Sequence, residues 1–243
     1  MSLTSANFTE RKGAYEKEKK FWDIPELRQK EGVFAHREEA GRVLASLLKN
    51  YRGTDSVVLA IPAGGVPVAA VIAEELGLPL DVAVVSKITF PWTTEAGYGA
   101  VAFDGTVILN EEMLDYYRLS PDIVEEGKKN TLAKVTRRLK ELRGNRPFPQ
   151  LKGKTVILVD DGLASGITML AAVKAVKKLG AERIVVAVPT AHWESLEKIL
   201  PHVEEIYCPN LRAGWHFAVA DAYRIWYDVS EEEAKEILSR FNF

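Results

Sequence analysis

Val156-Ile157-Leu158-Val159-Asp160-Asp161-Gly162-Leu163-Ala164-Ser165-Gly166-Ile167-Thr168 is the stretch whose reading decides the fold. Four consecutive apolar residues predict a strand buried on both faces, as in a parallel sheet. Asp160 and Asp161 stand where that strand ends. A short loop of small and hydroxyl residues then leads into a helix that begins near Ile167. In an open α/β sheet, ligands bind at the carboxyl ends of the strands. Free backbone N–H groups at a helix start, aided by the helix dipole, make such a loop a phosphate cradle. Two carboxylates beside a phosphate site are unfavourable if phosphate is the whole ligand. They fit a ligand that also offers ribose hydroxyls as donors.

For an ordinary βα turn, the apolar run, the acid pair, Gly162, Ser165-Gly166 and Thr168 would all have to coincide. A Walker P-loop fits poorly: Gly162 and Gly166 are too close, and no Lys precedes Thr168. Strand and helix patterns alternate around the segment. Helices are predicted over residues 37–50, from Gly65 to near Gly77, near 111–117, from Pro121 to about Gly144, onward from 167 to Gly180, near 193–200 and from Ser230 to Arg240. The long helix from Pro121 reads as amphipathic through Ile123, Leu132, Val135, Leu139 and Leu142. Ser120 is its expected cap, and Ser230 followed by Glu233 reads as a capping box. Strands are predicted at 56–61, 80–85, 183–188 and 204–207. Asp104-Gly105 between two short apolar runs signals a hairpin. The pattern implies a mostly parallel, doubly wound α/β sheet with one hairpin as the exception.

The chain has 243 residues, enough for one large domain, or one domain with a cap. Its net charge of −2 gives no global attraction to nucleic acid or to an anionic membrane. One cysteine, Cys208, excludes a disulfide framework or a cysteine-based metal site. No signal peptide and no membrane-spanning run are recognised, so a cytoplasmic protein is expected.

The opening segment resembles the PRPP-binding motif of type I phosphoribosyltransferases (PRPP is 5-phosphoribosyl 1-pyrophosphate). The resemblance implies that Asp160 and Asp161 hold the ribose 2′- and 3′-hydroxyls, with Gly162 in the same turn. Ala164, Ser165, Gly166 and Thr168 would wrap the 5′-phosphate. Ala63-Gly64-Gly65, after the first buried strand, resembles the family's pyrophosphate loop, which often carries a cis peptide; Pro62–Ala63 is the candidate bond. Lys87, taken to end the second strand, stands where the family places a basic residue near the pyrophosphate. Residues 88–97 resemble the flexible catalytic loop, with Thr93, Thr94 and Glu95 as its polar candidates. Phe217 resembles the residue of the hood that stacks on the base, and the hood is expected largely from residues 207–229.

Phe34, the run Arg37-Glu38-Glu39-Ala40-Gly41, Gly64-Gly65-Val66-Pro67-Val68 and Ser230-Glu231-Glu232 further resemble a poorly characterised group within that family. This likeness spans residues 34–243 and is taken as the phosphoribosyltransferase domain. Residues 1–33 lie outside it and are read as an N-terminal helical extension, anchored by Phe21 and Trp22. The function implied is transfer of the 5-phosphoribosyl group to a nitrogenous base, with Asp160, Asp161, Lys87 and Glu95 as the catalytic candidates. Mg²⁺ is expected to bind with PRPP, carried mainly on ligand oxygens beside Asp160 and Asp161. Ala164 stands where the 6-oxopurine branch has a carboxylate that approaches N7, so hypoxanthine and guanine are disfavoured. The alternative is a regulator that binds PRPP or a nucleotide without turnover. A homodimer is expected, with PRPP and a small base as partners and neither nucleic acid nor membrane.

Overall fold

In a computed structural model of the protein, residues 20–93 and 96–241 are described. In chain order the strands are β1 (Phe21–Trp22), β2 (Ser56–Ala60), β3 (Leu80–Val82), β4 (Val85–Thr89), β5 (Gly97–Ala102), β6 (Val107–Leu109), β7 (Thr155–Val159), β8 (Arg183–Ala187), β9 (Thr190–His192), β10 (Glu205–Tyr207) and β11 (Asn210–Arg212). The helices are α1 (Arg37–Leu47), α2 (Gly65–Leu76), α3 (Glu111–Tyr117), α4 (Pro121–Arg143), α5 (Ile167–Lys178), α6 (Trp193–Ile199) and α7 (Glu231–Ser239).

Six strands form one parallel sheet in the order β1-β10-β8-β7-β2-β3. Strand β7 is central, with Val156 opposite Val57 on one side and Ile184 on the other. Val57, Leu59, Val156 and Leu158 point into a core shared with α5 and α6. Val58, Ala60, Ile157 and Val159 point the other way, into a core shared with α1, α2, α4 and α7. Both faces are dry, which is why these strands read as unbroken apolar runs. No described helix is long and apolar enough to cross a membrane.

A second, antiparallel sheet, β4-β5-β6, packs between α4 and α5. Its tip is the expected Asp104-Gly105 turn: Gly105 has φ +84°, and Asp104 accepts from the Thr106 N–H at 2.9 Å and its hydroxyl at 2.7 Å. Other local signals also hold. Gly77 ends α2 in the left-handed region. Ser120 caps α4, and Ser230 Oγ accepts from the Glu233 N–H at 3.0 Å. The Glu233 carboxylate takes the Tyr227 hydroxyl at 2.7 Å, a bond the capping-box reading does not contain.

Four expectations are corrected. The strand expected at 80–85 is split between two strands: pairing with β2 stops at Ala60↔Val82, where β2 ends, and Val85 opens the antiparallel sheet. Lys87 therefore lies in the middle of β4, not at the end of a sheet strand. The loop expected at 88–97 is shorter, because Ile88 and Thr89 pair with Gly99 and Gly97. Phe90 at its base is buried against Tyr98 and Tyr117. In α4 the buried face runs through Val124, Thr131, Val135 and Leu142, while Ile123 and Leu132 are exposed. Finally, the described part of the N-terminal extension is not helical. Phe21–Trp22 pair with β10, Pro25–Leu27 make one 3₁₀ turn, and Trp22 stacks on Tyr207 at 4.6 Å. Aromatic residues suit a strand, and the sheet edge supplies a partner that a helical reading overlooks. Phe21 and Trp22 do anchor the segment.

Candidate functional site

Strands β2 and β7 end side by side, and the Ile61 N–H donates to the Val159 carbonyl at 2.7 Å. That bond sets the loop 62–65 against the acid loop 160–163. A Cβ on Gly65 would stand 2.8 Å from the Val159 carbonyl and 2.9 Å from the Asp160 Cα. One on Gly64 would collide with the Asp161 carboxyl, at 2.7 Å from Cγ. Gly65 is thus required where two backbones pass in contact and Gly64 where the Asp161 side chain lies over the loop; the Gly65 N–H donates to the Ile61 carbonyl at 3.1 Å as α2 opens. The Pro62–Ala63 peptide is cis, at the bond singled out from the sequence.

Asp160 and Asp161 are largely withdrawn from solvent; the Asp161 side chain keeps 15% exposure. The Asp161 N–H donates to Asp160 Oδ1 at 2.8 Å. Burial, and then the neighbouring Asp161 charge, hold the Asp160 carboxyl well above the usual carboxylate range. Burial also raises Asp161, against the opposing pull of the Arg37 guanidinium. Arg37, the first residue of α1, is 4% exposed. Its Nε and Nη2 both reach Asp161 Oδ2 at 2.9 Å, and its Nη1 donates to the Tyr227 carbonyl at 2.9 Å. Its flat face lies 4.0 Å from the Trp226 ring centre. The sequence reading quoted Arg37 within a motif but gave it no role; it is the site residue that reading missed.

Beyond the acids, Leu163 is stitched to β9: its N–H donates to the Thr190 carbonyl at 2.9 Å, and its carbonyl accepts from His192 at 3.0 Å. Ala164 and Ser165 then stand exposed, with the Ala164 carbonyl held by the Ser195 hydroxyl. Gly166, at φ +78°, is the cap of α5. The first helical bond runs from the Leu170 N–H to the Gly166 carbonyl at 2.9 Å. The N–H groups before Leu170, including those of Ile167 and Thr168, therefore lack helical partners.

The hood is built from β9, the parallel strand β11 and the 3₁₀ turn Val219–Ala222. Val219 presses on Gly162, where a Cβ would be 2.7 Å from its Cγ2. The Tyr223 hydroxyl donates to the Asp161 carbonyl at 2.6 Å. Phe217 is half-buried, edge-on to His192 at 5.6 Å and under the Arg212 guanidinium at 5.1 Å. Since His192 bonds Leu163, the hood ring is carried on the acid loop itself.

Lys87 is solvent-exposed, and its stem crosses Gly97, where a Cβ would meet Lys87 Cδ at 2.7 Å. A second residue not singled out from the sequence, Arg138 of α4, ties this strand to the glycine loop. It donates to the Val85 carbonyl and Ser86 Oγ, to the Pro62 carbonyl at 3.1 Å and to Glu231 of α7 at 2.6 Å. Thr94 and Glu95 lie outside the described residues. Among the described residues no group of three or more His, Cys, Asp or Glu could hold a metal ion. Among the described residues at the strand ends, Asp160 and Asp161 are the ones that offer hard carboxylate oxygens.

A family model described as phosphoribosyl transferase domain matches residues 33–224. Two Mycobacterium tuberculosis proteins, from strains CDC 1551 and H37Rv, carry a provisional phosphoribosyl transferase name; each is 34% identical over 208 residues, 86% of this chain and 47% of the relative. The chain thus spans about half the length of the curated relatives it matches. The crystal structure of TT1426 from Thermus thermophilus aligns with a TM-score of 0.69 at 34% identity, covering 86% of this chain and 98% of that one.

Proposed function

The chain belongs to the phosphoribosyl transferase domain family, and from that premise we propose that it transfers the 5-phosphoribosyl group of PRPP to a nitrogenous base, releasing pyrophosphate. The observation that carries the reading is the meeting of two small-residue loops and an acid pair at the carboxyl ends of β2 and β7. In this reading Asp160 and Asp161 accept hydrogen bonds from the ribose hydroxyls. The N–H groups of residues 164–168 bind the 5′-phosphate, and Ala63, Gly64 and Gly65 receive the pyrophosphate.

The bond from ribose C1 to the pyrophosphate oxygen breaks as a base nitrogen bonds to C1. Positive charge grows on the sugar and negative charge on the leaving group. The Lys87 ammonium offsets the second charge, and the loop after Thr89, which carries the catalytic candidate Glu95, shields C1 from water. Phe217 stacks on the acceptor base. Positioning of donor and acceptor supplies most of the rate. Asp160 and Asp161, as hard carboxylate donors, would stand beside a Mg²⁺ carried mainly on PRPP oxygens, which would supply charge neutralisation for the leaving pyrophosphate. The same reading includes a cytoplasmic homodimer.

The acceptor is expected to be adenine, a pyrimidine or another heterocycle rather than a 6-oxopurine. With Ala at position 164 no carboxylate from the phosphate loop meets N7, and a buried polar atom without a partner costs about 1–3 kcal/mol. A panel of bases with Mg-PRPP, read as pyrophosphate release, tests this. The highest kcat/KM with guanine or hypoxanthine would overturn the Ala164 argument. PRPP binding without release on any base would move the regulatory reading ahead.

A further inference from the structure

Arg37 occupies a place that ordinary folding preferences disfavour. A cation at the first position of a helix meets the positive end of the dipole, and a buried guanidinium is costly unless it is fully paired. Both penalties are met by three partners from two distant parts of the chain: Asp161, and the Tyr227 carbonyl with the neighbouring Trp226 ring. The arrangement is also lopsided. Nε and Nη2 converge on the same oxygen, Asp161 Oδ2, rather than straddling the carboxylate, so Oδ1 lies outside the fork. The remaining nitrogen, Nη1, anchors the guanidinium to the segment that follows Tyr223, whose hydroxyl holds the Asp161 carbonyl.

We propose that Arg37 is a positioning residue of the donor site, which clamps Asp161 by one oxygen and presents the other to a ribose hydroxyl. The proposal rests on the donor-site reading above. It assigns the 223–227 segment a part in sugar recognition, because Trp226 and Tyr227 fix the guanidinium that fixes the acid. Lysine cannot replace Arg37. One ammonium nitrogen cannot hold Oδ2, reach the Tyr227 carbonyl and lie flat on Trp226 at once.

The test compares ribose 5-phosphate, 2-deoxyribose 5-phosphate and inorganic phosphate by calorimetry on the whole protein. The wild type is expected to prefer the ribose compound by about tenfold or more, the range of a charge-assisted hydrogen bond. In Arg37→Met that preference falls toward unity while inorganic phosphate affinity stays within about twofold of the wild type. Arg37→Lys recovers less than half of the preference on a logarithmic scale. Trp226→Leu, a change at a partly exposed ring, keeps the fold and lowers the preference by about two- to fivefold, the range of a cation–π contact. Full preference in Arg37→Met or Arg37→Lys overturns the proposal. So does loss of phosphate binding in step with the preference, which marks a purely structural role. A wild type that binds none of the three overturns the donor-site reading itself, and the proposal with it.

Discussion

The fold holds two buried Arg–Asp pairs, Arg143–Asp81 and Arg37–Asp161, and they are built differently. Arg143 grips Asp81 through both oxygens, at 2.7 and 2.8 Å, and both side chains are 5% exposed. Asp81 Oδ1 also accepts the Val82 N–H, while the guanidinium adds the Arg146 and Pro147 carbonyls and the Phe148 ring. Every polar atom of that pair is used within the fold. Arg37 takes only one oxygen of Asp161, whose neighbour Asp160 carries the largest upward carboxyl displacement of the pair. The first pair fastens α4 to the sheet. The second keeps acceptor capacity in reserve at a cost in stability, as expected where a ligand completes the network.

The contrast can be broken most sharply at the reserved acids. Replacing Asp160 and Asp161 together by Asn is expected to weaken Mg-PRPP binding by about a hundred- to ten-thousandfold, two charge-assisted bonds at about 1.5–3 kcal/mol each, in a protein that still unfolds cooperatively. Wild-type affinity in calorimetry would sink the site assignment. Arg143→Met should do the reverse. Leaving Asp81 buried and unpaired costs about 3–5 kcal/mol, visible as a lower denaturation midpoint, with PRPP affinity unchanged in the folded fraction. Equal stability in the variant would show that the core pair is not a fastener.

Gly64→Ala tests the contact between the two regions of the site. The added methyl meets Asp161 and must displace it, so PRPP affinity is expected to fall by about ten- to a hundredfold, the worth of one charged hydrogen bond, with little change in melting temperature. The smallest effect concerns pH. Burial raises the Asp160 carboxyl in the folded chain, so between the unfolded carboxylate range and that raised value the folded state holds a proton the unfolded state has released. Stability from this group is present at low pH and is lost as pH rises. In metal-free buffer at pH 8, Asp160→Asn should therefore melt higher than the wild type by about 2–4 °C, equivalent to about 1 kcal/mol in a chain of this length. The gain should shrink at pH 4. A variant that melts lower at pH 8 would contradict the view that the acids are held at a cost.

The sequence made one half of the site readable and hid the other for a physical reason. The donor loops are contiguous: an apolar strand, two acids, a cap glycine and a helix follow one another, and local rules predict each. Ala63-Gly64-Gly65 is by local rules only a tight βα turn; the family resemblance singled it out and pointed to Pro62–Ala63 as the cis bond. Arg37 and Arg138 were not readable, because their roles arise only in space. Arg37 meets Asp161 124 positions away, and Arg138 meets Pro62 76 positions away. Periodicity reports which face of a helix is buried and says nothing about which carbonyl a buried guanidinium will find. Lys87 was misplaced because the run 80–85, apolar but for Asp81, hides the point where one sheet ends and another begins. Phe217 could be named but not seated, since its neighbours His192 and Arg212 come from two different strands.

The two-residue strand at Phe21–Trp22 carries a practical lesson about where such a domain begins. The family match starts at residue 33, yet the sheet starts earlier. Lys20 and Trp22 supply carbonyls to the Ile206 and Cys208 N–H groups, and Ile24 donates to the Pro209 carbonyl. A protease cut or a cloning boundary drawn at the family limit would strip that cover and leave β10 as a bare rim of unpaired amides. Bare rims of that kind recruit strands from other molecules. Trimming this edge strand would then appear in the laboratory as turbidity.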